Sequence, residues 1–179
     1  QTPNWLKKLI AAGNLGQKTK CGVFRKEGKT TLVFDPKQGA EGEYRPSAAD
    51  IAPAVAAILQ QRDPSARFTA LRACAHPQAQ FLWAIFRDVF HYCAVHLGTI
   101  ADNARDVDFA LRWGFAWQQG PFEIWQSAGW QGISEAIQAD IAAGKTMAAT
   151  PLPDWVKAEE ASAAAGVHSS QGSWSAATQ

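Results

Sequence analysis

The chain has 179 residues, 47% of them hydrophobic, and a formal net charge of +1 from 17 basic and 16 acidic residues. That length holds one domain or slightly more, with a core of its own. The balanced charge excludes a strongly basic nucleic-acid binder and an acidic solvating tail.

Three cysteines, Cys21, Cys74 and Cys93, are odd in number and far apart. They fit a reducing, cytoplasmic compartment better than a disulfide framework. No basic stretch followed by an apolar run opens the chain, so no signal peptide is expected.

In chain order, residues 3–12 read as a short helix with Leu6, Leu9 and Ile10 on one face and Gly13 as its left-handed stop. Two β-prone runs around Glu27-Gly28 predict a small hairpin. Residues 36–46, rich in Gly and Pro, read as a linker. Ser47 with Asp50 resembles a capping box, starting a helix with Ile51, Val55, Ile58 and Leu59 as its apolar stripe. Asp63-Pro64 caps a second helix carrying Phe68 and Leu71. A long apolar helix, "FLWAIFRDVFHYCAVHL", covers 81–97 and ends at Gly98. Arg87 and Asp88 in its middle argue for a soluble core helix and against a membrane span.

Asn103 then caps a helix with Val107, Phe109, Ala110 and Leu111, stopping at Gly114. Gly120-Pro121 starts another, because proline at the first helical position gives up no needed N–H and Glu123 faces the positive helix end. Gly129 stops it. The final helix carries Ile133, Ile137 and Ile141, with Gly144 as its stop. Beyond Thr150 the composition thins to Ala, Ser, Gly and Gln, which predicts a partly disordered closing segment over 151–179. The expected fold is mainly α with one small β-hairpin near the start.

The two ends of the chain echo each other. "PNWLKKLIAAGNLGQKTKCGVF" (3–24) and "PDWVKAEEASAAAGVHSSQGSW" (153–174) align without a gap at a constant offset of 150 residues. Pro3/Pro153, Trp5/Trp155, Lys7/Lys157, Ala11/Ala161, Gly16/Gly166 and Gly22/Gly172 are identical. A period of that size implies a domain duplication rather than a solenoid. On this reading residues 1–35 end one helical domain, 36–46 link it, 47–150 form a second copy and 151–179 close it. The chain is then expected to be a piece of something longer.

Few residues offer chemistry. Cys74, His76, His91, Cys93 and His96 lack metal-ligand spacing, and on a helix only Cys93 and His96 share a face. Lys18 and Lys20 sit in a Gly-flanked loop without the G-K-[ST] ending of a phosphate-binding loop. No G-x-G-x-x-G is present, so no dinucleotide fingerprint exists. In "RWGFAWQQGPFEIW" (112–125) two readings stand side by side. The helix start at Pro121 beside two glutamines could receive a polar group, with tryptophans lining an apolar slot. Alternatively the elbow is structural, and Trp113, Trp117 and Trp125 fill the core. Residue types alone favour the structural reading.

"RDVDFALRWGFAWQQGPFEIWQSAGW" resembles the C-terminal domain of 3-hydroxyacyl-CoA dehydrogenases, and "NWLKKLIAAGNLGQKTKCGVFRK" resembles that family's domain ending. The resemblance implies a helical domain like the C-terminal domain of 6-phosphogluconate dehydrogenase. It implies a parent oxidoreductase of fatty-acid β-oxidation that uses NAD to oxidise (S)-3-hydroxyacyl-CoA. The family's catalytic His–Glu pair and Rossmann domain would lie upstream, so catalytic, cofactor-binding and metal-binding residues are expected to number none in this chain. An asparagine that the family's helical domain contributes aligns, counting back from Asp106 and Asp108, with Trp83. Tryptophan cannot accept a hydrogen bond, so this copy should be catalytically silent, and the isolated chain inactive.

Gly120, Pro121, Phe122 and Glu123 match the family elbow, while Trp117, Gln118 and Gln119 depart from its approach. Any residual acyl-CoA site would therefore use Trp117, Gln118, Gln119, Gly120, Pro121 and Phe122. The implied partners are the upstream Rossmann and first helical domains, a downstream enoyl-CoA hydratase domain and, through the same helical face, a second subunit in a homodimer. Two alternatives to a structural role remain: a residual acyl-CoA-binding module at the elbow, and a Trp-rich interaction domain without enzymatic ancestry.

Overall fold

The computed structural model describes residues 2–37, 42–48, 50–157 and 166–175. The chain divides into two compact units, Gln1–Asp50 and Ile51–Gln179. Ala161 of the end-to-end echo lies outside the described residues.

The first unit opens with α1 (Asn4–Ala11), set off by Pro3, whose carbonyl accepts from the N–H groups of Leu6 and Lys7. Gly13 takes the expected left-handed turn at φ 76°. A 3-10 turn over Gln17–Thr19 follows, then β1 (Phe24–Glu27), β2 (Thr30–Asp35) and β3 (Glu43–Pro46) in an antiparallel sheet ordered β1-β2-β3. Glu27 pairs with Thr30 across a two-residue turn in which Gly28, at φ 60°, supplies the positive φ.

The hairpin is therefore a three-stranded sheet, and part of the expected linker is a strand. Val33 pairs with Arg45 and Phe34 with Tyr44. Tyr44 is the β-forming residue that the Gly and Pro around it concealed. Its hydroxyl donates to the Gly22 carbonyl, Arg25 lies over its ring at 4.2 Å, and its edge meets Phe34. Leu9 and Leu32 are the buried aliphatic residues of this small core.

The second unit is helical: α2 (Pro53–Leu59), α3 (Pro64–Ala73), α4 (Pro77–Ile100), α5 (Ala104–Phe115) and α6 (Pro121–Ala142). Among the described residues no helix is long and apolar enough to cross a membrane. The start expected at Ser47 and Asp50 moves to Pro53, with Ala52 before it, because proline at the first position needs no N–H partner. Ile51, expected on the buried stripe, is consequently 56% exposed. Helix α4 begins earlier than the apolar run, at Pro77, where the His76 ring nitrogen accepts from the Gln78 N–H at 3.2 Å. It also runs through Gly98 to Ile100. Gly129 (φ 99°, ψ 93°) breaks α6 as expected, yet the helix resumes at once, leaving a kink rather than an end.

That kink organises the core. Trp130 swings back onto Trp125, stacked at 4.2 Å, and its carbonyl accepts from the Trp125 indole at 3.1 Å and from Ser134 Oγ at 2.6 Å. Phe90 also stacks on Trp125, at 5.5 Å. The Trp130 indole donates to the Val156 carbonyl at 3.0 Å, and Trp155 stacks on Trp174 at 4.3 Å. A column of aromatic rings thus runs from Phe90 to Trp174, and each buried indole N–H has a partner. The closing segment, expected to be partly disordered, holds a 3-10 turn (Asp154–Val156) and a hairpin of β4 (His168–Ser169) and β5 (Gly172–Ser173). Residues 158–165 and 176–179 lie outside the described residues.

Candidate functional site at the α5–α6 elbow

Helix α5 starts at Asn103, whose side chain accepts from the Asp106 N–H at 3.0 Å, and ends at Ala116 in the left-handed region. One turn into it, Asp108 is 1% exposed. The chain then doubles back through Trp117, Gln118 and Gln119 to Gly120, where α6 begins. Asp108 Oδ1 accepts from the Phe122 N–H at 2.8 Å, so a carboxylate of α5 caps the start of α6. Glu123 Oε2 accepts from the Gly120 N–H at 2.7 Å while its Oε1 accepts from Arg112 at 3.1 Å. Gly120 is required by close approach, because a Cβ there would run into the Asp108 backbone and side chain.

The second oxygen of Asp108 meets His168 Nε2 at 2.7 Å. Burial raises the Asp108 carboxyl above its ordinary value, against the opposing pull of the His168 ring and the Phe122 N–H. Gln126 completes the contact with two bonds to one backbone position: its Nε2 donates to the His168 carbonyl at 3.0 Å, and its Oε1 accepts from the His168 N–H at 2.9 Å. Gly166 lies so close that a Cβ would strike the Gln126 side chain. The closing hairpin is therefore fastened to the elbow by side chains from both α5 and α6.

This arrangement separates the residues expected together. Gly120, Pro121 and Phe122 are buried in the joint, whereas Gln118 and Gln119 are exposed. Trp117 meets Phe86 with ring centroids 6.5 Å apart, and with Gln118, Gln119 and Ile124 it lines a shallow depression of about 200 Å³. Trp125 fills the core as expected, but Trp113 is 79% exposed, stacked on Phe109. The helix start offers a ligand little: of its first N–H groups, those of Gly120 and Phe122 already have carboxylate acceptors.

Trp83, the residue aligned with the family's asparagine, is buried, and its indole donates to Asp140 Oδ2 at 2.9 Å. The same carboxylate oxygen accepts from Arg87 Nη1 at 3.1 Å. Arg87 also grips both Asp88 oxygens at 3.0 Å and donates to the Lys145 carbonyl at 2.7 Å. Burial works to raise the Asp140 carboxyl, but the bonds from Trp83 and Arg87 hold it below its ordinary value. The charges in the middle of the apolar helix thus form a satisfied buried network.

Among the described residues no group of three His, Cys, Asp or Glu side chains converges as metal ligands do. His91 binds the Thr150 carbonyl at 2.7 Å, His96 meets the Tyr92 ring at 4.4 Å, and burial, followed by the charge of Asp108, pushes the Cys93 thiol up to about 12. The described sheets are antiparallel throughout and carry no Gly-rich strand-to-helix turn, so these residues do not fit a dinucleotide cofactor. Sequence reasoning missed the Asp108–His168–Gln126 fastening. Its signal was present in Asp108, which lies inside the recognised motif, and in His168, which lies inside the echo.

No family model matches the chain, and no solved structure matches it. Among curated proteins it is similar to a probable 3-hydroxyacyl-CoA dehydrogenase of Bacillus subtilis (strain 168), with 30% identity over 155 residues. The match takes in 87% of this chain and falls in the C-terminal region of the relative. The chain spans 18% of that relative's length. The match bears out the resemblance carried by the elbow and domain-ending motifs.

Proposed function

We propose, from this relationship to 3-hydroxyacyl-CoA dehydrogenases, that the chain is part of a longer cytoplasmic, NAD-dependent enzyme of fatty-acid β-oxidation and serves in it as a non-catalytic helical domain. The closed elbow carries this reading. The N–H groups of Gly120 and Phe122 are bound by Glu123 and Asp108, and the position of the family's asparagine holds a tryptophan tied to Asp140. A site that had to polarise or orient a hydroxyacyl group would need free donors or acceptors there. NAD binding and the acid–base pair belong, on this reading, to other parts of the enzyme.

The structural role is to pack against a sister helical domain or a second subunit. Trp113 and Phe115, 79% and 73% exposed at the end of α5, offer apolar surface for that contact. In the first unit Leu15 and Phe24, 66% and 59% exposed, offer surface to the helical body that the echo implies. A hydratase domain beyond the closing segment remains part of the proposal.

The test is a dehydrogenase assay of this chain with NAD and 3-hydroxybutyryl-CoA, alongside an acyl-CoA titration followed by tryptophan fluorescence. The reading expects no turnover and no saturable change from the elbow. Turnover would sink the silent-domain reading. Saturation at micromolar ligand that Trp117→Ala abolishes would establish the residual acyl-CoA site instead.

A further inference from the structure

Helices α3, α4 and α6 and the Lys145 side chain line a cleft of about 420 Å³ that shares no residue with the elbow. Its floor is Trp83 and Arg87, each 5% exposed, and its mouth carries the exposed Arg72 and Lys145. The polar groups of the floor are already paired: Arg87 is taken up by Asp88, Asp140 and the Lys145 carbonyl. At the mouth charge is left over. Arg72 lies over the Trp83 ring at 5.5 Å, with one long bond from Nη1 to the Gly132 carbonyl at 3.5 Å and no carboxylate partner among the described residues. Asp140 spends Oδ2 on Trp83 and Arg87, whereas Oδ1 meets the Lys145 ammonium alone, at 3.7 Å. Trp83 therefore sets the spacing, its ring under the cation and its indole N–H on the carboxylate. Gln80 braces that geometry, donating to the Arg72 and Cys74 carbonyls at 3.3 and 2.7 Å.

We propose that this cleft binds a free α-amino acid with an apolar side chain, its carboxylate on Arg72 and Lys145 and its ammonium on Asp140 Oδ1. Charge decides the class. A bare anion such as phosphate would meet the two cations but would also face Asp140 Oδ1 with no proton to offer it. A bare cation would satisfy Asp140 and be repelled by Arg72 and Lys145. A zwitterion satisfies both ends, and a guanidinium already placed over an indole is set to take a carboxylate. The head of an α-amino acid, with a hydrogen bond of about 2.9 Å at each end, bridges the one-indole gap between the two charges. Ala73, Ala136 and Ala139 leave room beside the ring for the side chain, and the volume lies in the range of small-molecule sites. The site stands or falls independently of the dehydrogenase relationship.

The experiment is calorimetric titration of the full chain with L-leucine and L-phenylalanine, each also as its N-acetyl and its amide form, and with inorganic phosphate. At least one free amino acid is expected to saturate at one ligand per chain. Acetylation removes the ammonium and amidation the carboxylate, so each blocked form should bind at least about tenfold more weakly, the loss of one charge-assisted hydrogen bond. Arg72→Gln removes the cation over Trp83, and Ala139→Glu sets a second carboxylate at the mouth. Both positions are exposed, so each variant should weaken binding at least about tenfold without changing the melting temperature. The proposal is overturned if neither free amino acid saturates, including the case in which phosphate alone does. It is also overturned if a blocked form binds as tightly as its parent, or if either variant binds as the unmodified chain does.

Discussion

The two echoing segments share a sequence pattern and differ in what they rest on. Pro3 and Pro153 enter their helical turns with the same backbone, φ −58° in both and ψ 145° and 151°. Gly16 and Gly166 both take an extended positive φ, 124° and 148°. The aromatic positions then diverge. Trp155 lies within ring contact of Phe122, Trp130 and Trp174, and Val156 beside it is 1% exposed. Trp5 meets Phe34 at 5.9 Å, and Phe24, at the position of Trp174, is 59% exposed. Local backbone follows from the shared Pro, Trp and Gly spacing. Burial follows from the body on which each segment is seated.

Matched substitutions turn that contrast into numbers. Trp155→Ala should cost about 3 kcal/mol and Trp5→Ala about 1 kcal/mol, read as the shift in urea midpoint at constant slope. Equal costs would mean the two segments are anchored alike. Asp108→Ala should cost about 2 kcal/mol, because it strands the buried Phe122 N–H and frees His168. Its signature is faster hydrogen exchange at His168 and Ser173 with α1 unchanged, which separates loss of the fastening from general destabilisation.

The smallest effect lies in acid and belongs to the helical body rather than to either segment. Asp140 sits below its ordinary value of 3.8, so its charged form is favoured by folding. That contribution is complete above 3.8 and lost as the pH falls through the lower folded value. Melting temperature followed from pH 6 to pH 2 should therefore drop more steeply for the unmodified chain than for Asp140→Asn. Parallel curves would remove Asp140 from the acid response.

Much of this was legible in the residues, and the failures are instructive. Apolar periodicity and stop signals located the helices, because Asp63, Asn103 and Gly120-Pro121 act through local bonds that sequence spacing encodes. Pattern reading failed where a long-range partner decided the outcome. Glu43–Pro46 became a strand because β2 offered an edge, and a Gly-rich flank hides that. At Gly129 the expected stop became a kink because Trp130 gains a stack on Trp125. At the elbow the Gly-Pro-Phe-Glu motif marked the place, but not its state. Whether the helix start is open to a ligand depends on Asp108, fourteen residues before Phe122, and on His168, sixty residues beyond Asp108. Spacing of that kind cannot be read from a motif.

The central claim is that this elbow is closed from within. Amide hydrogen exchange at Phe122 tests it most directly. The account predicts exchange slowed nearly to the rate set by unfolding of the helical unit, with protection lost in Asp108→Ala. Rapid exchange at Phe122 in the unmodified chain, with the rest of α6 protected, would contradict it.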